Sequence, residues 1–196
     1  GIVSGAAALG IVSSAFFAPR LAQKYGYVAT INFGLVLAAI MTVLFRYTEN
    51  YVVWLAIRFV SGLGLGLHWV LTEAWLANIV SDRGRTRVMA IYATAISVGF
   101  GAGPAIIWIF GFATYTPFYL IAAFLLIAGL PIYMLRGHEP KSEFSGAGSP
   151  LLLIRRAPTV ACACFVAGGV DLALISLVPV MVARSPGAEP VLALSL

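Results

Sequence analysis

Long apolar runs are the feature that most constrains the fold of this chain. Each is close to the roughly 20 residues that an α-helix needs to cross a bilayer. We place them at residues 1–17, 28–45, 51–80, 88–110, 118–135 and 159–183, with the start of another after residue 190. Hydrophobic residues make up 61% of the 196 residues and charged residues 10%, against about 45–50% and 25% in soluble domains. The sequence therefore predicts an all-α, multi-pass transmembrane helical bundle.

Basic residues are distributed unequally between the two sides of the predicted membrane. The polar segments after the first, third and fifth runs contain most of them: Arg20, Lys24, Arg83, Arg85, Arg87, Arg136, Lys141, Arg155 and Arg156. The other segments contain only Arg46 and Arg184, and Arg58 lies within a run. Because short basic loops stay in the cytoplasm, we predict a protein of the plasma (bacterial inner) membrane with these basic loops cytoplasmic.

The run at 51–80 contains charged residues at membrane depth. At about 100° per residue, one helix face of roughly 80° holds a stripe of five residues: Arg58, Gly62, Gly66, Trp69 and Glu73. At about 1.5 Å per residue, the two charged residues of this stripe are roughly 22 Å apart along the axis. Each therefore needs its own partner, and intramembrane charges usually face a bundle interior or a polar pathway.

Each ionisable residue of this run has a structural alternative. Arg58 lies close to the outer end, where its side chain could instead snorkel to the interface. Glu73 lies about two turns from the inner boundary, so a structural pairing with loop arginines stands beside substrate or proton chemistry. His68 lies off the stripe, and a hydrogen-bonded packing role stands beside a titrating one.

The glycines of the same run predict close helix packing. Gly62 and Gly66 have the G-x-x-x-G spacing that lets a second helix approach. The segment GLGLG (62–66) is not preceded by a strand, so a nucleotide-binding loop is a poor interpretation.

Asp171 is the remaining charge within a run. It lies near the middle of 159–183, the depth at which a carboxylate costs most. Two interpretations stay open: a carboxylic acid that exchanges a proton, and a neutral acid hydrogen-bonded to a neighbouring helix. Nearby Gly168, Gly169 and Pro179 would soften the helix.

Enzyme signatures are absent from the sequence: H-E-x-x-H, G-x-S-x-G and cysteine clusters do not occur. Ser61 and His68 on one helix are roughly 10 Å apart along its axis, too far to form a nucleophile–base pair. We therefore predict no enzyme, no cofactor, no metal site and no nucleic-acid partner.

The arrangement resembles the N-terminal half of a major facilitator superfamily transporter, from its second helix onward. PRLAQKYGYV (19–28) is similar to the family motif between helices two and three and keeps Leu21, Lys24 and Gly26. It departs from that motif at Pro19, Gln23, Tyr27 and Val28. RFVSGLG (58–64) matches the Arg-then-Gly pattern of helix four at Arg58 and Gly62.

Later segments extend the resemblance. RGR (83–85) is similar to the basic loop between helices four and five, with Arg83 and Arg85. GFGAGP (99–104) matches the Gly-x-x-x-Gly-Pro core of the family's helix five at Gly99, Gly103 and Pro104. The glycine pair that follows in the family is replaced by Ile107 and Trp108, so antiport is not inferred.

The resemblance implies a division of the chain and a function. We expect residues 1–135 to be an N-terminal transmembrane bundle lacking its first helix, 136–158 a cytoplasmic inter-bundle loop, and 159–196 the start of a C-terminal bundle. The implied activity is transport of a small-molecule substrate by alternating access, with protons as a candidate coupling ion. Arg58, Glu73 and Asp171 would serve translocation or coupling, and Gly99, Gly103 and Pro104 would allow packing and bending.

We expect the chain to be a fragment, truncated at both ends, of a protein that is embedded in a lipid bilayer and monomeric at full length. The competing interpretation is a membrane protein that transports nothing, such as a transporter-like receptor or an anchor subunit.

Overall fold

The computed structural model of this protein describes residues 2–79, 82–110 and 115–137. Beyond these it describes positions 155, 158–159, 162–163, 165–166, 168–170, 173, 177 and 181. The chain divides into two compact units. One comprises Gly1–Gly99 with Phe112–Phe144, and the other comprises Phe100–Gly111 with Ser145–Leu196.

The helices follow the apolar runs. They are α1 (Ile2–Tyr25), α2 (Tyr27–Leu44), α3 (Tyr51–Ile79), α4 (Asp82–Phe110) and α5 (Thr116–Met134), with a 3-10 turn at Phe45–Tyr47. Of the described helices, α1, α2, α3 and α5 are long and apolar enough to cross a bilayer. The predicted class is confirmed: the chain is an all-α, multi-pass transmembrane bundle.

Two predicted polar segments are helical where we expected turns. Residues 18–27 were predicted to be a turn, but α1 continues to Tyr25 and only Gly26, with φ 87°, interrupts the helix. Residues 81–87 were predicted to be a loop, but α4 begins at Asp82. Charged residues do not end a helix by themselves, because long basic side chains extend from the last turns toward polar surroundings.

The helices of the first unit alternate in direction. Gly10 of α1 faces Phe59 and Leu63 of α3, and Gly66 farther along α3 faces Ile11 and Ser14 farther along α1, so α1 and α3 are parallel. Gly34 of α2 lies against Leu67 while Ala38 lies against Gly64, so α2 is antiparallel to α3.

At the far end of α2, Phe45 contacts Phe118, which follows the start of α5. Gly129, near the end of α5, approaches Asn32 in the first half of α2, so α5 is antiparallel to α2. We call the end where α1 and α5 finish and α2 begins the basic end. It carries Lys24 and Arg136. The opposite end, with Phe45 and Phe118, is the aromatic end.

The core of this unit lies between α1, α2 and α3. Its buried residues are Ala18, Ala22, Tyr27, Val28, Ile31, Leu35, Leu67, Leu71 and Trp75. The Tyr27 and Trp75 rings pack with centroids 6.0 Å apart near the basic end. Small residues on α1 and large ones on α2 and α3 allow close interhelical packing, which drives helix association where lipid supplies no hydrophobic force.

Candidate functional site

Glycines let the backbones of α1, α2 and α3 touch. A Cβ on Gly62 would overlap the carbonyl oxygen of Ala7, and one on Gly10 would overlap that of Phe59. A Cβ on Gly66 would lie 2.8 Å from Cα of Ile11. We call Gly10, Gly62 and Gly66 the glycine seam of α1 and α3. This geometry places Gly62 and Gly66 at a helix–helix contact. It adds Gly10, which was not predicted from the sequence.

A second glycine contact joins α2 to α3. A Cβ on Gly34 would lie 2.5 Å from the carbonyl oxygen of Gly64, and a Cβ on Gly64 would lie 2.5 Å from that of Gly34. Neither position can therefore carry a side chain without separation of the two helices. Nothing in the sequence pairs these glycines, because they belong to different helices.

Glu73 is the carboxylate that the structure places among polar partners from two helices. Its Oε1 atom accepts a hydrogen bond of 2.6 Å from Nε1 of Trp69, one turn earlier on α3. It also accepts one of 3.4 Å from the hydroxyl of Tyr92 on α4. Arg85 donates a hydrogen bond of 3.0 Å to the carbonyl oxygen of Ala77. The described hydrogen bonds of the carboxylate thus come from aromatic side chains.

Tyr92 was not predicted from the sequence as a partner of Glu73. The feature that could have indicated it is its position about two to three turns into α4. A short segment joins the start of α4 to the end of α3, so Tyr92 can reach the last turns of α3. The pairing was not predictable because a rotation of α4 by half a turn would have placed Tyr92 away from Glu73. The resulting site is a carboxylate held by an indole N–H and a phenol O–H from two helices.

Arg58 lies toward the aromatic end, apart from Glu73. Its guanidinium carbon is 5.5 Å from the centroid of the Phe45 ring, and the residue is exposed in the described chain. Cation–π contact of this kind is favourable at about 0.5–1 kcal/mol at exposed sites and more in apolar surroundings. The structure therefore separates the two charges of the stripe, as their spacing along the helix required.

His68 packs within α3. Its Nδ1 atom is 3.3 Å from Oγ1 of Thr72, one turn along the helix. This contact satisfies one ring nitrogen locally and accords with the packing interpretation of His68.

An aromatic cluster surrounds Arg46 at the aromatic end. The guanidinium donates a hydrogen bond to the hydroxyl of Tyr119. It also lies over three rings, with centroid distances of 4.8 Å to Tyr115, 5.6 Å to Tyr47 and 5.9 Å to Tyr119. No partner for Arg46 was predicted from the sequence. The cluster ties the turn after α2 to the start of α5.

The remaining predicted site residues have fewer described neighbours. A Cβ on Gly99 or Gly103 would meet no described atom within 4 Å, so their packing role stays a prediction. Lys24 lies 5.0 Å above the Tyr25 ring, and Gly26 forms the break between α1 and α2.

Some predictions fall outside the described residues. These concern Asp171 and the side chains of Arg83 and Pro104. Within the described part of the chain, no group of three or more His, Cys, Asp or Glu side chains could hold a metal ion.

Comparison with known proteins relates the whole chain to one family. A family model described as the Major Facilitator Superfamily matches residues 1–196. The chain is 24% identical over 144 residues to YfkF, an uncharacterised MFS-type transporter of Bacillus subtilis (strain 168), a match covering 70% of this chain and 37% of the relative. No solved structure matches the chain.

Further relatives are similarly distant. An uncharacterised MFS-type transporter of Yersinia pestis (strain Pestoides F) is 25% identical over 182 residues, which cover 87% of this chain and 48% of the relative. Multidrug resistance protein 2 of Bacillus subtilis (strain 168) is 28% identical over 115 residues, covering 58% of this chain and 29% of that protein. The chain thus spans about half, or less, of the length of these relatives.

Proposed function

This chain belongs to the Major Facilitator Superfamily, and we propose that it forms part of a secondary active transporter that moves a small solute by alternating access. The observation that carries the proposal is the Glu73 carboxylate, held within an apolar helix by Trp69 and Tyr92 from two helices. Intramembrane carboxylates of this kind are costly and mark solute or proton pathways. The relatives that are named as transporters support the same class.

The packing of the bundle supports a rocking mechanism. Alternating access in inverted-repeat transporters is largely the rigid-body motion of one helical bundle against another. The glycine seam and the Gly34–Gly64 contact bring the backbones of three helices together, which favours their motion as one body. In our proposal Arg58 and Glu73 belong to this bundle, and Asp171 belongs to the facing one.

The Glu73 site suits an organic cation as the first solute to test. A carboxylate supplies the opposite charge, and the faces of Trp69 and Tyr92 offer cation–π contact. One relative is named a multidrug resistance protein. Ethidium, a planar organic cation, is therefore a suitable first probe, with other cations, anions, sugars and amino acids in the same panel.

Reconstitution of the full-length protein in liposomes tests the proposal. We expect a pH gradient to drive accumulation or extrusion of ethidium or of another panel member above the rate of empty liposomes. A full-length protein that is folded but moves no member of the panel under any gradient would contradict transport. That result would favour the receptor or anchor interpretation.

Neutralising Asp171 tests proton coupling. We expect Asp171→Asn to lower pH-driven flux by about tenfold or more, because an amide cannot exchange the proton that an intramembrane acid relays. Exchange of labelled for unlabelled solute, which needs no net proton movement, should persist. Glu49→Gln, in the exposed segment before α3, is the matched control. Unchanged pH-driven flux in Asp171→Asn would remove this residue from the coupling mechanism.

We propose that the protein lies in the bacterial inner membrane with its basic end in the cytoplasm. In a background with Cys162→Ala and Cys164→Ala, Arg136→Cys marks the basic end and Glu49→Cys marks the aromatic end. A membrane-impermeant maleimide should label Glu49→Cys in intact cells and Arg136→Cys only after permeabilisation, because basic loops are retained inside. The reverse pattern would invert the proposed orientation.

A further inference from the structure

An apolar groove runs between the end of α1 and the first half of α2. It has a volume of about 460 Å³ and is lined by Leu21 and Tyr25 of α1 and by Ala29, Thr30 and Phe33 of α2. Tyr25 and Phe33 are 58% and 59% exposed, so the groove opens to the surroundings. At about 1.5 Å per residue, Phe33 lies roughly 10 Å along α2 from Gly26, so the groove extends from the basic end into the apolar part of the bundle.

The mouth of this groove is positively charged. Lys24 places its ammonium 5.0 Å above the ring of Tyr25, a lining residue. Arg20 lies one turn earlier on α1 and is exposed, so it shares a helix face with Lys24. No acidic residue occurs in the sequence before Glu49, so α1 and α2 carry no carboxylate at this end.

The start of α2 adds no negative charge to the mouth of the groove. Its N-cap is Gly26, and its first turn contains no acidic residue. The hydroxyl of Thr30 already donates to the carbonyl oxygen of Gly26, at 2.8 Å, so the inner wall of the groove is largely apolar.

From these observations we infer that the groove binds an anionic glycerophospholipid of the bilayer, with an acyl chain between α1 and α2 and its phosphate at Lys24. The apolar length of the groove suits a hydrocarbon tail, which a free phosphate lacks. The positive charge at its mouth favours an anionic headgroup, which an apolar helix lacks. Juxtamembrane Lys and Arg attract anionic lipid in this way. The inference goes beyond the proposed function, because it concerns the surface of α1 and α2 and does not involve Glu73.

Native mass spectrometry of the full-length protein tests this site. The protein is equilibrated with phosphatidylglycerol or with phosphatidylcholine of the same acyl chains, and the bound lipid is counted. We expect preferential retention of phosphatidylglycerol, and a loss of about fivefold in its affinity on Lys24→Gln, the effect of one basic residue beside an anionic surface. Ala29→Trp, which fills the groove and leaves the charge unchanged, should reduce retention of both lipids.

Two variants control for charge and for bulk. Arg136→Gln removes a basic residue that also lies beside an aromatic ring, 5.9 Å from that of Tyr133, but outside the groove. Ala123→Trp adds the same bulk at an exposed alanine of α5. Both should bind phosphatidylglycerol as the unmodified protein does. Equal retention of the two lipids by the unmodified protein, or equal losses in Lys24→Gln and Arg136→Gln, would overturn the inference. If Ala29→Trp does not fold, the comparison of Lys24→Gln with Arg136→Gln still tests whether the lipid binds at this groove.

Discussion

Replacing Gly62 with alanine is expected to lower the free energy of unfolding by about 3 kcal/mol or more, the upper range for an overpacked contact. The added methyl group would overlap the carbonyl oxygen of Ala7 on α1, which is backbone and cannot move aside as a flexible side chain would. Relief of the overlap requires α1 and α3 to separate, and interhelical packing is what holds helices together in lipid.

Unfolding of the purified protein by SDS in mixed micelles, followed by far-UV circular dichroism, measures this effect. Gly10→Ala should behave like Gly62→Ala, because its Cβ would overlap the carbonyl oxygen of Phe59. Gly5→Ala is the matched control on α1, since its Cβ would meet no described atom within 4 Å. Alanine favours a helix over glycine by about 1 kcal/mol, so the control should be slightly stabilised. Equal stability of Gly62→Ala and Gly5→Ala would contradict the close backbone contact between Gly62 and Ala7.

Glu73→Gln is expected to reduce solute flux by about tenfold or more while the protein remains folded. An intramembrane carboxylate in a pathway contributes its charge or its proton, and the amide supplies neither. Tyr92→Phe removes only the 3.4 Å hydrogen bond, so it should cost about threefold, the size of one modest hydrogen bond. Flux of the reconstituted full-length protein, measured over a range of pH, checks both variants.

The pH profile separates a functional role of Glu73 from a structural one. If the carboxylate couples transport to protons, Glu73→Gln should flatten the pH dependence of flux, and Tyr92→Phe should retain it. If the carboxylate only ties α3 to α4, both variants should lower the free energy of unfolding and leave the flux of the folded protein unchanged. The latter pattern would remove Glu73 from the proposed pathway.

The helices could be predicted from the sequence because a lipid bilayer leaves an apolar run no other backbone conformation. In a bilayer core every backbone polar group must be satisfied within its own segment, so apolar runs of this length must form helices. The extent of the helices was less predictable. Arg20 and Lys24 suggested a turn, but α1 includes both. The polarity of this segment did not reveal that Gly26 alone, with its positive φ, separates α1 from α2.

The candidate site was predictable in part. Arg58 and Glu73 were identified as candidate site residues because charges within the apolar run 51–80 are costly. The spacing of Gly62 and Gly66 indicated a surface for helix packing. Asp171 lies outside the described residues, so its role rests on the sequence and the family. The partners could not be predicted: Gly10 for the seam, Gly34 against Gly64, and Tyr92 for the carboxylate each come from another helix.

The sequence by itself determined that the chain lies in a bilayer, that its apolar runs are helices, and which of its residues are costly to bury there. These properties depend on composition and on the periodicity of single segments. Only the tertiary structure decided which helix faces which and at what rotation. Those choices depend on contacts between residues far apart in the chain, such as Tyr92 with Glu73 or Arg46 with Tyr119. The groove between Tyr25 and Phe33 is of the same kind, since it exists only once α1 and α2 lie side by side.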